Sequence, residues 1–362
     1  MTKTATRGIW KYERRIPEIM ERNRITLGEG QTPLIKSTRI GPEVGLTNLY
    51  FKLESLNPTG SYKDRISALG VSLAKERGLT ACIGTTSGNA GGSIAAYAAR
   101  AGLNYHVYVQ ENIVASKLEP MIVHRASIVK VKGFGFNPEV GNRVFAKVLK
   151  NAQSRNLELL ITAYAYAPEA MEAVKTIAYE LTEEGAEDAD VVFMPAGGGG
   201  LLTGIYRGYR DLLEDGAIRC LPKLVACQST GCANIAKAWQ LGLDKPVDGA
   251  STAMISGIQV PNPPDGVQAL QALQHSGGFA EALPDADTWH WQEQLAVKEG
   301  IFCEPAGAIA LAGAIQAAKE GRIGRNANVV CIVSGAGYKD VDRMSAMVKQ
   351  LPDIPMIDTD EL

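Results

Sequence analysis

A lysine within "NPTGSYKDR" (57–65) is the residue whose surroundings most suggest chemistry. Lys63 follows a Gly-Ser step by two residues and is itself followed by Asp and Arg. Such a lysine could be an ordinary surface residue, the cation of a phosphate-binding loop, or an amine that bonds covalently to a carbonyl compound. It is not a Walker lysine, because the Gly-x-x-x-x-Gly-Lys-[Ser/Thr] spacing is absent.

Three glycine-rich segments each follow a β-rich run and precede a helical pattern: "TTSGNAGG" (85–92), "PAGGGG" (195–200) and "SGAG" (334–337). Parallel strands present their carboxyl ends at one edge of a sheet, so the three segments predict one shared cleft. The residues directly before "LLTGIYRGYRDLL" are Gly197, Gly198, Gly199 and Gly200. They place free N–H groups at a helix N-terminus, which predicts a phosphate site. A tight turn without function is disfavoured, because each glycine costs up to about 1 kcal/mol of chain entropy.

Other reaction types fit the sequence poorly. The chain has four histidines, and none shows the spacing of a metal ligand, so neither a metal site nor a His-dependent triad is predicted. The reaction type that still fits is a lysine amine acting as a Schiff-base nucleophile, together with a phosphate site distant from it in the sequence. Pyridoxal 5′-phosphate (PLP), an aldehyde that carries a phosphate, fits both features.

The composition limits the class of protein. A chain of 362 residues that is 46 % hydrophobic favours two domains, or one large domain with a subdomain. A formal charge of −2 argues against nucleic-acid binding, and no apolar run reaches about 18 residues, the length of a membrane span. Because the six cysteines form no Cys-x-x-Cys pair and no signal region is evident, we expect a cytoplasmic protein with reduced thiols.

Short β-rich runs alternate with helical patterns along the chain. Such alternation predicts an α/β protein with parallel sheets and helices on both faces. A helix is predicted over 89–102 and irregular structure around 245–285, where Pro, Gly and Asp are frequent. Strands are predicted at 81–84, 105–109, 127–131, 159–162, 190–195, 223–228 and 328–334.

Four segments carry a family resemblance: "GEGQTPL" (28–34), "NPTGSYKDR" (57–65), "SGNAGGSIAAYAARAGL" (87–103) and "EGIFCEPAGAIALAG" (299–313). Together they resemble the fold-type II PLP enzymes of the tryptophan synthase β-like superfamily, and most closely its threonine synthase branch. The loops "TSGNAGG" and "PAGGGGL" are more similar to those of serine/threonine dehydratases and β-replacing synthases.

The resemblance implies two domains, each with a mostly parallel twisted sheet flanked by helices. A large PLP-binding domain is expected over 1–79 and 166–362, with an N-terminal arm of about residues 1–25. A small mobile domain over 80–165 carries the Asn89 loop. The family also implies a homodimer, with the arm packed across it through Trp10, Tyr12 and Ile16.

The resemblance also implies the roles of individual residues. Lys63 holds the cofactor, Asn89 bonds to its ring hydroxyl, and Gly197 to Gly200 bind its phosphate. The substrate carboxylate is held by Thr86, Ser87, Gly88 and Ala90. Ser334 faces the pyridine nitrogen, and a hydroxyl there makes the ring a weaker electron sink than a carboxylate would. A weaker electron sink favours loss of a β- or γ-substituent over transamination. Lys63 is then the base for the Cα proton.

One segment departs from the threonine synthase pattern. Threonine synthases commonly bind the phosphate of O-phosphohomoserine through an Asn-Ser pair and a nearby Arg. The matching segment "LITAYAYAPEAMEAVKT" (160–176) has Tyr164, Ala165 and Ala170 there, and no Arg lies between 156 and 206. We therefore expect a PLP-dependent carbon–oxygen lyase or replacement synthase acting on the β- or γ-carbon of another small amino acid. Tyr164 then lines the substrate pocket or simply packs.

Three alternatives stay open at this point. One is a genuine threonine synthase whose phosphate site uses Lys117, Ser116 or Arg125. Another is an ammonia-lyase of the serine/threonine dehydratase type. The third is an inactive binding module with a PLP-enzyme fold, against which the intact Lys63, Asn89 and Ser334 argue.

Overall fold

The computed structural model describes residues 7–135, 138–247, 249–352 and 354–359, which form two sheets flanked by helices. The strands are β1 (Leu34–Lys36), β2 (Asn48–Lys52), β3 (Ala81–Thr86), β4 (Asn104–Gln110), β5 (Ser127–Val131), β6 (Glu158–Leu159), β7 (Val191–Pro195), β8 (Lys223–Ser229), β9 (Phe279–Leu283) and β10 (Asn328–Ile332). The α-helices are α1 (Ile40–Val44), α2 (Lys63–Glu76), α3 (Asn89–Ala101), α4 (Ala115–Val123), α5 (Pro138–Ser154), α6 (Pro168–Met171), α7 (Thr176–Leu181), α8 (Gly200–Glu214), α9 (Asn234–Gln240), α10 (Gly266–His275), α11 (Asp285–Gln294), α12 (Pro305–Lys319) and α13 (Val341–Val348).

The larger sheet has the order β1-β2-β10-β7-β8-β9, and only the β1–β2 pair among these is antiparallel. Its centre is buried on both faces, as continuous apolar runs such as "VVFMP" of β7 predict. Val191 and Phe193 pack in the core formed with α12, whereas Val192 and Met194 pack in the core on the other face. This alternation confirms the α/β architecture.

The smaller sheet has the order β5-β4-β3-β6, with every pair parallel. Its central strand β3, "ACIGTT", is buried along its whole length. The strands of this sheet come from residues 81–159, and those of the larger sheet from the flanking parts of the chain. The division into a large domain and a mobile domain over 80–165 stays a prediction.

The predicted strands differ from the observed ones mainly at their ends. The run at 159–162 contributes only Leu159 to β6, and the chain leaves β3 after Leu160, whose N–H donates to the Ile83 carbonyl at 2.8 Å. The expectation of irregular structure around 245–285 is wrong for its second half, which contains α10 and β9. In "GVQALQALQH" the buried residues Ala269, Leu270 and Leu273 recur at helical spacing, a signal that the neighbouring Pro and Gly residues masked.

The N-terminal arm packs on its own chain, and its packing across a dimer stays a prediction. Trp10, Tyr12 and Ile16 are all buried in the core around α2 and α7. The Tyr12 hydroxyl donates to Glu183 at 2.7 Å, and Trp10 Nε1 donates to the Ile25 carbonyl at 3.3 Å. Residues 1–6 of the predicted arm lie outside the described residues.

A buried ion-pair network fixes α2. Arg65 is fully buried, and its guanidinium contacts Glu54 at 2.6 Å and Glu180 at 2.5 Å. Lys52 of β2 contacts Glu180 at 2.9 Å. Burial opposes ionisation of Glu180, but the charges of Arg65 and Lys52 outweigh it and lower the pKa of that carboxyl to about 2. The network therefore ties the first turn of α2 to β2 and α7.

The state of the cysteines and the length of the helices also bear on the class of protein. All six cysteines are free thiols, and Cys220 is the exposed one. Within the described ranges, every helix is too short or too polar to span a bilayer.

Candidate active site

Lys63 and Ser334 are brought together by an extension of β10. Beyond the end of that strand, the Ser334 carbonyl accepts a hydrogen bond from the Tyr62 N–H at 3.2 Å. The Ala336 N–H donates to the Gly60 carbonyl at 2.9 Å, and Ser61 bridges Gly335. The lysine at the start of α2 is thus held next to the buried Ser334.

The Lys63 amine points towards the loop that follows β6. Nζ donates to Thr162 Oγ1 at 2.8 Å and lies 4.6 Å from the centroid of the Tyr62 ring. Thr162 was not predicted as a site residue from the sequence. Its one signal was a hydroxyl residue at the carboxyl end of an apolar run, where the catalytic side chains of α/β proteins collect.

The four-glycine segment joins β7 to α8. Gly199 has φ +92°, and neither Gly198 nor Gly199 donates its N–H to a backbone acceptor within the described ranges. A Cβ on Gly197 would lie 3.1 Å from the Gly257 carbonyl oxygen, and one on Gly199 would lie 2.7 Å from that of Asp265. Glycine is therefore required by the close backbone approach, and the free N–H groups at the start of α8 suit an anion.

Asp265 connects this loop to the segment that contacts Lys63. Its buried carboxylate accepts hydrogen bonds from the N–H groups of Tyr164 at 2.8 Å and Ala165 at 2.9 Å, and its own N–H donates to the Gly198 carbonyl at 2.9 Å. Burial raises the pKa of Asp265, and these N–H groups and the charge of Lys63 oppose the shift. Asp265 was not predicted as a site residue because it lies in the stretch predicted to be irregular.

Asn89 begins α3 and faces the larger sheet. Its Nδ2 donates to Glu304 Oε1 at 2.7 Å, while its Oδ1 is buried and has no hydrogen-bond partner among the described residues. Glu304 is buried directly before α12, and its N–H donates to the Gly335 carbonyl at 2.9 Å. Asn89 is therefore held against the segment that carries Ser334.

The residues predicted to hold a substrate carboxylate form the turn between β3 and α3. Thr86 Oγ1 accepts hydrogen bonds from the N–H groups of Gly88 and Gly91, each at 3.0 Å. Ala90 is buried and Ser87 is exposed. The Thr86 hydroxyl is therefore already used within the turn. The N–H groups at the start of α3 remain free, and they are the groups best suited to bind a carboxylate.

A second lysine reaches the same site from α4. Lys117 is buried, its Nζ donates to Ser256 Oγ at 2.6 Å, and it lies 3.6 Å from Glu304 Oε2. A Cβ on Gly88 would lie 2.4 Å from Lys117 Cδ, so the lysine side chain passes directly over the turn between β3 and α3. The other two residues of the alternative phosphate site differ: Arg125 is exposed, and Ser116 Oγ donates to the Lys339 carbonyl at 3.2 Å.

The Tyr164 side chain is directed towards α6 and α8. Its hydroxyl donates to the Met171 carbonyl at 3.1 Å, and the Arg207 guanidinium lies 5.1 Å from the ring centroid. Burial raises the pKa of this hydroxyl. The contact with substrate predicted for Tyr164 stays a prediction, and these bonds are those of a packing residue.

The arrangement fits PLP. The glycine loop is a cradle that any side chain would fill, and it offers free N–H groups for a phosphate. Lys63 supplies a primary amine for the aldehyde. Asn89 has one amide hydrogen beyond the one given to Glu304, as well as an unpartnered oxygen, and Ser334 adds a buried hydroxyl.

Comparison with known proteins agrees with this fit. Residues 25–335 match the family model described as pyridoxal-phosphate dependent enzyme, and the protein belongs to this family. It is 34 % identical to the threonine synthase of Methanocaldococcus jannaschii over 338 residues, which cover 92 % of this chain and 81 % of the relative. It is 32 % identical to the threonine synthase of Mycobacterium bovis over 363 residues, covering 99 % and 96 %.

Solved structures show the same fold. Maize serine racemase superposes with a TM-score of 0.75 at 19 % identity, covering 95 % of this chain and 98 % of that one. Isoform 2 of threonine deaminase from Solanum lycopersicum gives 0.73 at 19 % identity, with 96 % of both chains covered. The predicted fold-type II architecture, the threonine synthase resemblance and the PLP cofactor are confirmed, and the protein is an enzyme of the PLP-dependent lyase and synthase class.

Proposed function

We propose that the enzyme catalyses β- or γ-elimination or replacement on a small amino acid other than O-phosphohomoserine. The observation that carries this proposal is the convergence of Lys63, the glycine loop, Asn89 and Ser334 at one edge of the two sheets. The bound cofactor would withdraw electrons from the amino acid attached to it and so acidify its Cα proton.

Each residue of the site has a role in that chemistry. Lys63 holds the cofactor and, once released, moves the Cα proton. The N–H groups at the start of α8 bind the cofactor phosphate, and those at the start of α3 orient the substrate carboxylate. Asn89 bonds to the ring oxygen. Ser334 donates to the ring nitrogen without protonating it, which favours loss of a substituent over transamination.

The placement of these groups supports a closing motion. Asn89 and Lys117 lie on α3 and α4 beside the smaller sheet, whereas the glycine loop and Ser334 follow strands β7 and β10 of the larger one, and Lys63 is tied to the segment after β10 through the bridge between Ser61 and Gly335. We propose that residues 80–165 move as a small domain that closes over the substrate and excludes water. A homodimer is part of the same proposal, on the family resemblance alone.

The substrate proposal rests on the charges around the site. No arginine lies between residues 156 and 206. Arg207 of α8, the next arginine along the chain, is paired with Glu172 at 2.9 Å. Burying a phosphate dianion without compensating donors costs several kcal/mol. A smaller or less charged leaving group is therefore favoured.

One observation supports a second candidate, a genuine threonine synthase. Lys117 is a buried cation in the site and could contact a substrate phosphate together with Ser256. Its charge is opposed by the carboxylate of Glu304 at 3.6 Å, which is why we place this candidate second.

Steady-state kinetics separates the candidates. The test compares O-phosphohomoserine with O-phosphoserine, serine, threonine and O-acetylated analogues, with release of phosphate, ammonia and 2-oxo acid measured in parallel. A kcat/KM for O-phosphohomoserine above about 10⁴ M⁻¹s⁻¹, in the usual range of native substrates, would restore threonine synthase. Release of ammonia and 2-oxo acid from serine or threonine would identify a dehydratase-type lyase, and a protein inert with every compound would be a binding module.

A further inference from the structure

Three buried oxygen atoms in the site have no hydrogen-bond partner among the described residues: Ser61 Oγ, Asn89 Oδ1 and Glu304 Oε2, of which the last two can only accept. Glu304 is 2 % exposed, and its other oxygen accepts the Asn89 amide at 2.7 Å. A buried acceptor that lacks a donor costs about 1–3 kcal/mol, so nearly all such groups have one. Two of them on adjacent side chains indicate that a bound molecule supplies the donor.

The position of Glu304 is built into the backbone. A Cβ on Gly335 would lie 2.2 Å from Glu304 Oε1, so the space beside Ser334 is reserved for this carboxylate. Because Gly335 also bridges Ser61, two residues before Lys63, the carboxylate lies close to the start of α2. It is therefore near the place where a substrate would bind to the cofactor that Lys63 holds.

The neighbouring charges define which donor fits. Lys117 Nζ is 3.6 Å from Glu304 Oε2, which is too far for a hydrogen bond and leaves room for an atom that contacts both. A hydroxyl group can donate to the carboxylate and accept from the ammonium at the same time. A phosphate dianion would gain the contact with Lys117 but would be repelled by Glu304. An ether oxygen could accept from Lys117 but has no hydrogen for Glu304.

On the basis of the proposed function, we infer that Glu304 Oε2 and Lys117 Nζ form a subsite for a side-chain hydroxyl group of the amino-acid substrate, while Asn89 Oδ1 faces the ring hydroxyl of the cofactor. Glu304 is then a specificity-determining residue. It accepts the hydroxyl hydrogen and fixes the Asn89 amide with its other oxygen.

The test measures binding rather than turnover. Dissociation constants of the PLP-loaded enzyme are measured from the change in cofactor absorbance on rapid mixing, for L-serine against O-methyl-L-serine and L-homoserine against O-methyl-L-homoserine. In at least one pair the hydroxyl compound should bind about 10- to 100-fold more tightly, as expected for a hydrogen bond to a charged acceptor. Glu304→Gln should reduce that ratio at least about fivefold, whereas Glu214→Gln on the exposed face of α8 should leave it unchanged.

Each outcome bears on the inference. Equal binding within both pairs by the unmodified enzyme overturns it and needs no variant. An unchanged ratio in a folded, PLP-loaded Glu304→Gln enzyme overturns it as well. If the cofactor absorbance responds to no amino acid at all, the proposed function fails together with the subsite. A response without discrimination refutes the subsite alone.

Discussion

The substitution Gly335→Ala tests whether Glu304 holds Asn89 in place. The new Cβ would lie 2.2 Å from Glu304 Oε1 and 2.7 Å from its Cδ, closer than non-bonded atoms approach, so the carboxylate or the backbone must shift by about 1 Å. A shift of the carboxylate away from Gly335 breaks its 2.7 Å bond with Asn89. A hydrogen bond to a charged group contributes about 1.5–3 kcal/mol.

We therefore expect Gly335→Ala to lower the free energy of unfolding by about 1.5–3 kcal/mol and to weaken PLP binding about tenfold or more, because Asn89 loses its fixed orientation. Urea unfolding of the apo-protein measures the first effect, and a fluorescence titration with PLP measures the second. The matched control is Gly324→Ala, where a Cβ meets no atom within 4 Å and φ is not positive. Its free energy of unfolding should change by less than about 0.5 kcal/mol.

Agreement between Gly335→Ala and the control in both measurements would contradict this prediction, because the carboxylate would then have room to move at no cost. A loss of stability with unchanged PLP affinity would show that Glu304 packs against Gly335 without orienting Asn89.

Three further predictions address the lysine, the serine and the ion-pair network. Lys63→Ala should abolish both turnover and the borohydride-reducible bond to the cofactor, and retention of either would show that another amine is used. Ser334→Ala should lower kcat about 10- to 100-fold, and Ser334→Asp should shift product partitioning towards transamination. Normal rates and normal partitioning in both variants would show that Ser334 does not face the pyridine ring of the cofactor. The pKa of Glu180 is lowered from 4.5 to about 2, so its contribution to the free energy of unfolding is complete above about pH 4.5 and is lost as the pH falls towards 2. Urea unfolding between these pH values should show a larger loss in the unmodified protein than in Arg65→Met, where Lys52 alone still faces Glu180 and which should itself be about 3–5 kcal/mol less stable at neutral pH. A pH-independent stability of the unmodified protein would contradict the pairing.

The sequence predicted the sheets well because their strands are short apolar runs bounded by turn residues. β5 has the predicted bounds, and β3, β7, β8 and β10 differ from theirs by two residues or fewer at each end. The strands β1, β2 and β9 were missed, because they are brief and mix polar with apolar residues; β1 and β9 lie at the edges of the larger sheet. Periodicity is a weak guide where only one side of a strand is covered.

The residues of the site were only partly predictable. The glycine loops and Lys63 have local signatures. By contrast, Thr162, Asp265 and Glu304 act through partners 99, 100 and 215 positions away in the chain. Glu304 lies within one of the segments that carry the family resemblance, yet its role was not evident. The role of a buried carboxylate depends on the groups that face it. Those groups come from distant parts of the chain, so no local sequence pattern indicates them.

The structure explains the order of Lys, Asp and Arg at the start of α2. Successive residues of a helix point about 100° apart, so three neighbours can face three different parts of the protein. Lys63 faces Thr162 and the site. The buried Asp64 accepts from Ser93 Oγ of α3 at 2.5 Å, which joins α2 to the helix that carries Asn89. Arg65 faces the carboxylates of Glu54 and Glu180. Buried ion pairs add little net stability over apolar packing, so their value here is positional. Asp64 and Arg65 fix the first turn of α2 from two sides, and Lys63 is thereby held where its amine meets Thr162.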